Sequence, residues 1–133
     1  MLFRSAYHLE AKKIEKIRAN GGHLRDLRRM VDDGHDLLVS GKSLSEFGLL
    51  LHQAWMAKRR LDDCVSTPEI DEIYEKGIAA GAWGGKLLGA GGGGFILFIA
   101  PPECHEKLNA AFSEKHRMDI RINAPGSQVV FAS

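Results

Sequence analysis

The sequence predicts one α+β domain, with helices in its first 80 residues and a sheet in the remainder. Apolar residues recur at spacings of three and four up to about Gly77, which is typical of amphipathic helices. After Gly81 the pattern changes to short apolar runs between glycine and proline, which is typical of strands. No linker, repeat or low-complexity tract divides the 133 residues, and 44% of them are hydrophobic. This is enough chain for one hydrophobic core.

Two helices are predicted at the start of the chain. Apolar residues from 3 to 17 form the first stripe, and Asn20-Gly21-Gly22 is expected to end it. A second stripe runs from 24 to 38 and is expected to end near Ser40-Gly41. Both have the spacing of a helix with one buried face.

The next two helices carry recognisable start signals. Ser43-Leu44-Ser45-Glu46 has the form of a capping box, and the apolar face that follows extends from Phe47 to Leu61. Ser66-Thr67-Pro68-Glu69 announces another helix, since Ser or Thr caps a helix and Pro fits its first turn. Its inner face is predicted to hold Ile70, Ile73, Tyr74 and Gly77.

Beyond Gly81 the sequence predicts strands. Lys86–Leu88 and Phe95–Ile99 are read as two of them, the second central in the sheet. Pro101-Pro102 ends that strand and opens a helix with Leu108, Ala111 and Phe112 facing inward. Further strands are predicted at 118–122 and 128–132, joined by a Pro-Gly turn.

Charge and cysteine content exclude several classes of protein. The 18 basic and 17 acidic residues leave a net charge of +1, so we expect neither nucleic acid nor an anionic membrane as a partner. The longest apolar run, Phe95–Ala100, is too short for a bilayer span of about 20 residues. Cys64 and Cys104 are isolated, and the histidines have no ligand spacing, so no metal site is predicted. We expect a cytoplasmic location.

Glycine is concentrated in one window. Eight of the 15 glycines lie between Gly81 and Gly94, and five fall within six positions, at a cost of about 2.5–5 kcal/mol relative to alanine. The string Gly89–Gly94 contains Gly-x-Gly-x-x-Gly, but it opens a strand, whereas a dinucleotide site needs it to open a helix. Three functional explanations remain: several residues with positive φ, another backbone or a ligand that approaches closer than a Cβ allows, or successive N–H groups that form an anion-binding concavity. The structural alternative is a tight crossing, free of side chains, against a neighbouring domain.

The stretch Lys86–Phe95, Lys-Leu-Leu-Gly-Ala-Gly-Gly-Gly-Gly-Phe, resembles the third signature motif of the GHMP kinases, found in their C-terminal domain. Leu51–Leu61 and Ser66–Asp71 are similar to the branch of that family acting on heptose 7-phosphate. The resemblance implies a ferredoxin-like antiparallel sheet with packed helices. It also implies that 1–133 is a single C-terminal-like domain without the N-terminal ATP-binding domain.

The resemblance further implies which residues serve a kinase site. The complete kinase would use ATP and Mg²⁺, and this chain alone is expected to bind neither tightly and to contain no catalytic residue. The candidates for the ATP side are Gly89, Ala90, Gly91, Gly92, Gly93 and Gly94. The candidates for a sugar phosphate are Trp55, Lys58, Arg59 and Lys86.

Each substrate candidate has a plain structural alternative. Lys58 and Arg59 could be solvated residues on a helix face, Lys86 an outward strand residue, and Trp55 a core residue. The expected partners are a sugar phosphate and either the missing N-terminal kinase half or a second copy of this chain. The alternative function is a standalone binding or oligomerisation module that keeps the fold without kinase chemistry.

Overall fold

A computed structural model describes residues 21–118 and residue 120 of the chain. These residues form four α-helices and one pair of antiparallel strands. In chain order the elements are α1 (Gly21–Val39), α2 (Leu44–Arg59), α3 (Pro68–Ala79), β1 (Gly84–Leu87), β2 (Ile96–Ile99), a short 3-10 turn (Pro102–Cys104) and α4 (His105–Ala111). The α+β class is confirmed.

The start signals of α2 and α3 act as helix caps. The Ser43 hydroxyl accepts a hydrogen bond from the Ser45 backbone N–H at 3.2 Å, one residue earlier than a capping box requires. Thr67 caps α3, since its hydroxyl oxygen accepts from the Ile70 N–H at 3.3 Å, and Pro68 occupies the first turn. The helices predicted from these two signals are confirmed.

Two predicted boundaries have different outcomes. The helix end expected at Asn20-Gly21-Gly22 stays a prediction, because α1 begins at Gly21, the first residue that the structure describes. β1 begins at Gly84 and not at Lys86, because pairing with β2 continues from Leu87↔Ile96 to Gly84↔Ile99.

Several predictions fall outside the described residues. These are the helix over 3–17, the strand at 128–132 and most of the strand at 118–122. Met118 and Ile120, which are described, are exposed and lie in no strand. The ferredoxin-like sheet and the central position of β2 therefore stay predictions, and the described part of the sheet is a two-stranded hairpin.

The core lies between α2, α3 and β1. Its fully buried members are Trp55, Val65 and Leu87, and Ile70 and Tyr74 complete the cluster. The Tyr74 ring lies 6.2 Å from the Trp55 ring and 5.9 Å from the Phe98 ring, measured between centroids. Such aromatic neighbours add to the stabilisation from buried apolar area.

Helix α2 crosses β1 at a pair of buried glycines. A Cβ built on Gly84 would overlap the carbonyl oxygen of Gly48, and a Cβ on Gly48 would lie 2.7 Å from the Trp83 Cβ. The absence of side chains therefore allows the helix to lie directly on the strand. The C-terminal end of α2 lies near the segment that follows β1, since the Lys58 Nζ donates to the Gly89 carbonyl.

Within the part of the chain that the structure describes, no helix is both long enough and apolar enough to cross a membrane.

Candidate functional site

The six residues Gly89–Gly94 form the turn between β1 and β2, which we call the glycine turn. The Leu88 N–H donates to the Phe95 carbonyl at 2.8 Å and closes its base. Four of its glycines have positive φ: 85° at Gly89, 114° at Gly91, 72° at Gly92 and 118° at Gly94. Residues with a Cβ rarely adopt these angles, so the conformation of this turn explains much of its composition.

The glycine turn is seated on the connection between α2 and α3. Gly91 is buried there, and a Cβ at this position would lie 2.9 Å from the Val65 Cα and 3.0 Å from its carbonyl oxygen. The Gly92 N–H donates to that same Val65 carbonyl at 3.0 Å. The close approach predicted for these glycines thus occurs within this chain.

The opposite side of the glycine turn is open. Gly92, Gly93 and Gly94 are exposed, and a Cβ on Gly93 would meet nothing within 4 Å. The flanking residues Leu88 and Phe95 are 42% and 52% exposed. The chain therefore presents bare backbone between two apolar side chains, a surface that a ligand or a second backbone can approach closely.

Lys58 connects the end of α2 to the glycine turn. Its Nζ donates a hydrogen bond to the carbonyl oxygen of Gly89. This contact places a positive charge at the edge of the turn, where an anionic group would be attracted. The role predicted for Lys58, binding a sugar phosphate, stays a prediction.

Arg59 points to a different partner. Its Nη2 lies 2.8 Å from Asp71 Oδ2 in the first turn of α3, and Asp71 Oδ1 accepts a hydrogen bond of 2.5 Å from the Ser66 hydroxyl. The sequence offers Lys58 and Arg59 together as candidates for a sugar phosphate. The structure instead directs Lys58 to the glycine turn and Arg59 to α3.

The other two substrate candidates are Trp55 on α2 and Lys86 on β1. Trp55 is 0% exposed and belongs to the core, which supports the structural alternative, because stacking on a sugar needs an open ring face. Lys86 is half-buried in β1, opposite Leu97. Neither is brought next to the glycine turn by a contact that the structure shows, so their proposed ligand roles stay predictions.

One polar cluster was missed by the sequence. His52 Nδ1 and the Tyr74 hydroxyl lie 2.8 Å apart, and the Gly85 backbone also hydrogen-bonds this hydroxyl. Burial raises the pKa of Tyr74, while the Gly85 hydrogen bond and the Arg59 charge act in the opposite direction. No spacing signal connects residues 22 positions apart on two helices, so only the fold reveals this pair.

We expect Tyr74→Phe to lower the free energy of unfolding at pH 7 by about 1–2 kcal/mol, because His52 and Gly85 lose a buried partner. Because the pKa of Tyr74 is raised in the folded state, its hydroxyl ionises in the unfolded state at a lower pH, about 10, than in the folded state. The wild type should therefore lose stability above that pH, and this loss should be smaller in the variant. Urea unfolding of both proteins at pH 7 and above about pH 10 measures this difference. An equal loss of stability at high pH in the wild type and in Tyr74→Phe would contradict the raised pKa of Tyr74.

Two surface cavities lie away from the glycine turn. One of about 320 Å³ lies between α1 and α2 and includes His23, Arg29 and Arg60. Another of about 430 Å³ lies between α3 and the segment that follows α4. Among residues 21–118 and 120, no group of three or more His, Cys, Asp or Glu is placed to hold a metal ion.

The fold of the described residues is shared with a kinase of known structure. The fold matches the crystal structure of L. major mevalonate kinase in complex with R-mevalonate, with a TM-score of 0.71. That match covers 86% of this chain and 36% of the kinase at 21% identity, and it shows the fold. The family model "GHMP kinases C terminal" matches residues 35–116, so the chain belongs to the GHMP kinase family through that domain.

Curated relatives support the same family. The chain is 34% identical to D-glycero-alpha-D-manno-heptose 7-phosphate kinase of Campylobacter jejuni, over 70% of this chain and 29% of that protein. It is 28% identical to the bifunctional fucokinase/GDP-fucose pyrophosphorylase of Arabidopsis thaliana, over 74% of this chain and 9% of that protein. It is 33% identical to mevalonate kinase of Pyrococcus abyssi, over 65% of this chain and 27% of that protein. The chain spans less than a third of each of these proteins.

Proposed function

We propose that this chain is the C-terminal part of an ATP-dependent sugar kinase acting on a heptose 7-phosphate-like sugar. The observation that carries the proposal is the glycine turn, whose backbone is bare on one side and seated on Val65 on the other. Membership of the GHMP kinase family supplies the reaction class. The sugar is proposed from the similarity to the Campylobacter jejuni enzyme.

In this proposal the glycine turn borders the phosphate end of the ATP site. Phosphoryl transfer depends chiefly on positioning and on neutralising charge at the transferred group. Backbone without side chains allows the nucleotide-holding segment to come close, and Lys58 adds a positive charge at the edge of the turn. Mg²⁺ bound with ATP would neutralise phosphate charge; no metal ligand is assigned to this chain.

The proposal requires a partner that holds ATP. Leu88 and Phe95 flank the turn and expose large apolar surface, which suits a protein neighbour. We assign this surface to the ATP-binding half of the kinase, with self-association as the alternative occupant. The absence of nucleic-acid and membrane partners, and the cytoplasmic location, stay predictions from the sequence.

Calorimetry on the purified chain distinguishes the kinase function from the alternative of a standalone binding or oligomerisation module. We expect a sugar phosphate such as heptose 7-phosphate to bind weakly and ATP with Mg²⁺ to show no tight binding, because the nucleotide needs the other half of the site. Lys58→Met, which removes the charge and retains the aliphatic stem, should weaken sugar-phosphate binding, while the exposed control Lys107→Met should leave it unchanged.

The kinase assignment also requires phosphoryl transfer by the gene product that carries this sequence. We expect transfer from ATP to the sugar phosphate when an ATP-binding half is present, encoded with this chain or supplied separately. Absence of both sugar-phosphate binding and transfer, together with stable self-association, would favour the standalone module.

A further inference from the structure

One carboxylate ties together both ends of the connection between α2 and α3. Asp71 pairs with Arg59, the last residue of α2, through one oxygen, and accepts from the Ser66 hydroxyl through the other. The Arg59 and Asp71 side chains are 35% and 31% exposed, so the pair is partly shielded from solvent. Its geometry is therefore better defined than that of a surface ion pair.

Ser66 adjoins the residue that receives the glycine turn. Val65 is 1% exposed, its carbonyl accepts the Gly92 N–H, and its backbone lies against Gly91. A shift of Ser66 would therefore move the Val65 carbonyl, because one peptide unit connects them. The path from Asp71 to the turn consists of two hydrogen bonds and that peptide unit.

We propose that Asp71 is a positioning residue for the glycine turn, acting through Ser66 and Val65, and that it sets the turn's place in the ATP site. This inference rests on the proposed function. The turn is thereby held at two points from the end of α2: directly by Lys58 at Gly89, and through Arg59, Asp71 and Val65 at Gly92. Asp71 itself touches neither substrate nor nucleotide in this assignment.

Two variants test the path. Ser66→Ala removes the hydroxyl and leaves the Arg59–Asp71 pair, whereas Asp71→Asn keeps an acceptor for Ser66 and removes the charge that faces Arg59. Glu75→Gln is the matched control, since Glu75 is an exposed carboxylate one helical turn further along α3. Glycine-selective ¹⁵N labelling of the full chain makes the Gly92 amide directly observable.

We expect Ser66→Ala to speed hydrogen exchange at the Gly92 amide about tenfold and to shift its NMR signal, with a smaller effect in Asp71→Asn. The buried helical amide of Gly48 should exchange at the wild-type rate, which shows that the fold is intact. An unchanged Gly92 amide in both variants, or equal acceleration at Gly48, would overturn the inference.

Steady-state kinetics of phosphoryl transfer distinguishes a role in placing the glycine turn from a role in the stability of the fold. In the gene product that carries this chain, Ser66→Ala should lower kcat about tenfold and leave the KM for the sugar within about twofold of wild type. Wild-type kcat in a variant with an altered Gly92 signal would overturn the role in catalysis. If the wild type transfers no phosphate, the proposed function fails, whereas the Gly92 exchange still decides whether Asp71 controls the turn.

Discussion

Gly91→Ala is expected to lower the kcat/KM of phosphoryl transfer at least about 100-fold in the kinase that carries this chain. A Cβ at this position would press on the Val65 backbone from 2.9 Å, and the φ of 114° is one that alanine rarely adopts. Backbone cannot move aside as a flexible side chain can, so the turn must leave its seat. Displacements of about 1 Å in a site are enough for losses of this size.

Two neighbouring glycines provide the controls for Gly91→Ala. Gly93→Ala places its Cβ in open space with no positive φ, so the turn should keep its seat on Val65 and the Gly92 amide should exchange at the wild-type rate. Gly89→Ala also meets open space, but its φ is 85°, so it tests backbone strain without contact; we expect an intermediate acceleration of exchange. Steady-state kinetics measures the activity of Gly91→Ala, and hydrogen exchange at the Gly92 amide measures the seating in all three variants. Equal exchange in Gly91→Ala and Gly93→Ala would contradict the seating of the turn on Val65.

Gly84→Ala is expected to destabilise the fold by about 3 kcal/mol, at the upper end of the cost of overpacking. Its Cβ would overlap the Gly48 carbonyl, and the nearest His52 atom would lie 3.1 Å away. Helix α2 and strand β1 would have to separate, which opens the core around Trp55 and Leu87. Urea unfolding followed by far-ultraviolet circular dichroism measures the loss.

Gly34→Ala is the matched control for Gly84→Ala. Gly34 is also a buried glycine at a packed interface, but its Cβ would meet the flexible end of Leu50 at 3.3 Å. Alanine also favours the helical conformation by about 1 kcal/mol, so the net change should be close to zero. A loss in Gly34→Ala as large as that in Gly84→Ala would show that the α2–β1 crossing is not specially close.

The elements predicted from local signals are the ones that the structure confirms. Thr67 and Pro68 specify the start of α3 through one hydrogen bond and one fixed φ, both properties of adjacent residues. The ends of elements that depend on contacts with residues distant in the sequence are predicted less well. The pattern around Lys86 predicts a strand start there, but β1 begins at Gly84, because its pairing with β2 continues to Gly84↔Ile99.

The candidate site was predictable as a segment but not in its connections. The composition of Gly89–Gly94 identified a turn with unusual backbone geometry, and four positive φ angles confirm it. The sequence could not show that Val65 seats this turn, because no residue pattern encodes a contact 26 or 27 positions away between two loops. The sequence also offers Lys58 and Arg59 for the same ligand, whereas in the fold Lys58 contacts Gly89 and Arg59 pairs with Asp71 of α3.

The central claim is that the exposed backbone of the glycine turn borders the ATP phosphates. Hydrogen–deuterium exchange on the peptide covering residues 88–95, in the gene product that carries this chain, tests it with and without ATP and Mg²⁺. We predict slower exchange in this peptide when the nucleotide is bound, with no change in α4. Nucleotide binding that protects other segments and leaves residues 88–95 unchanged would contradict the claim.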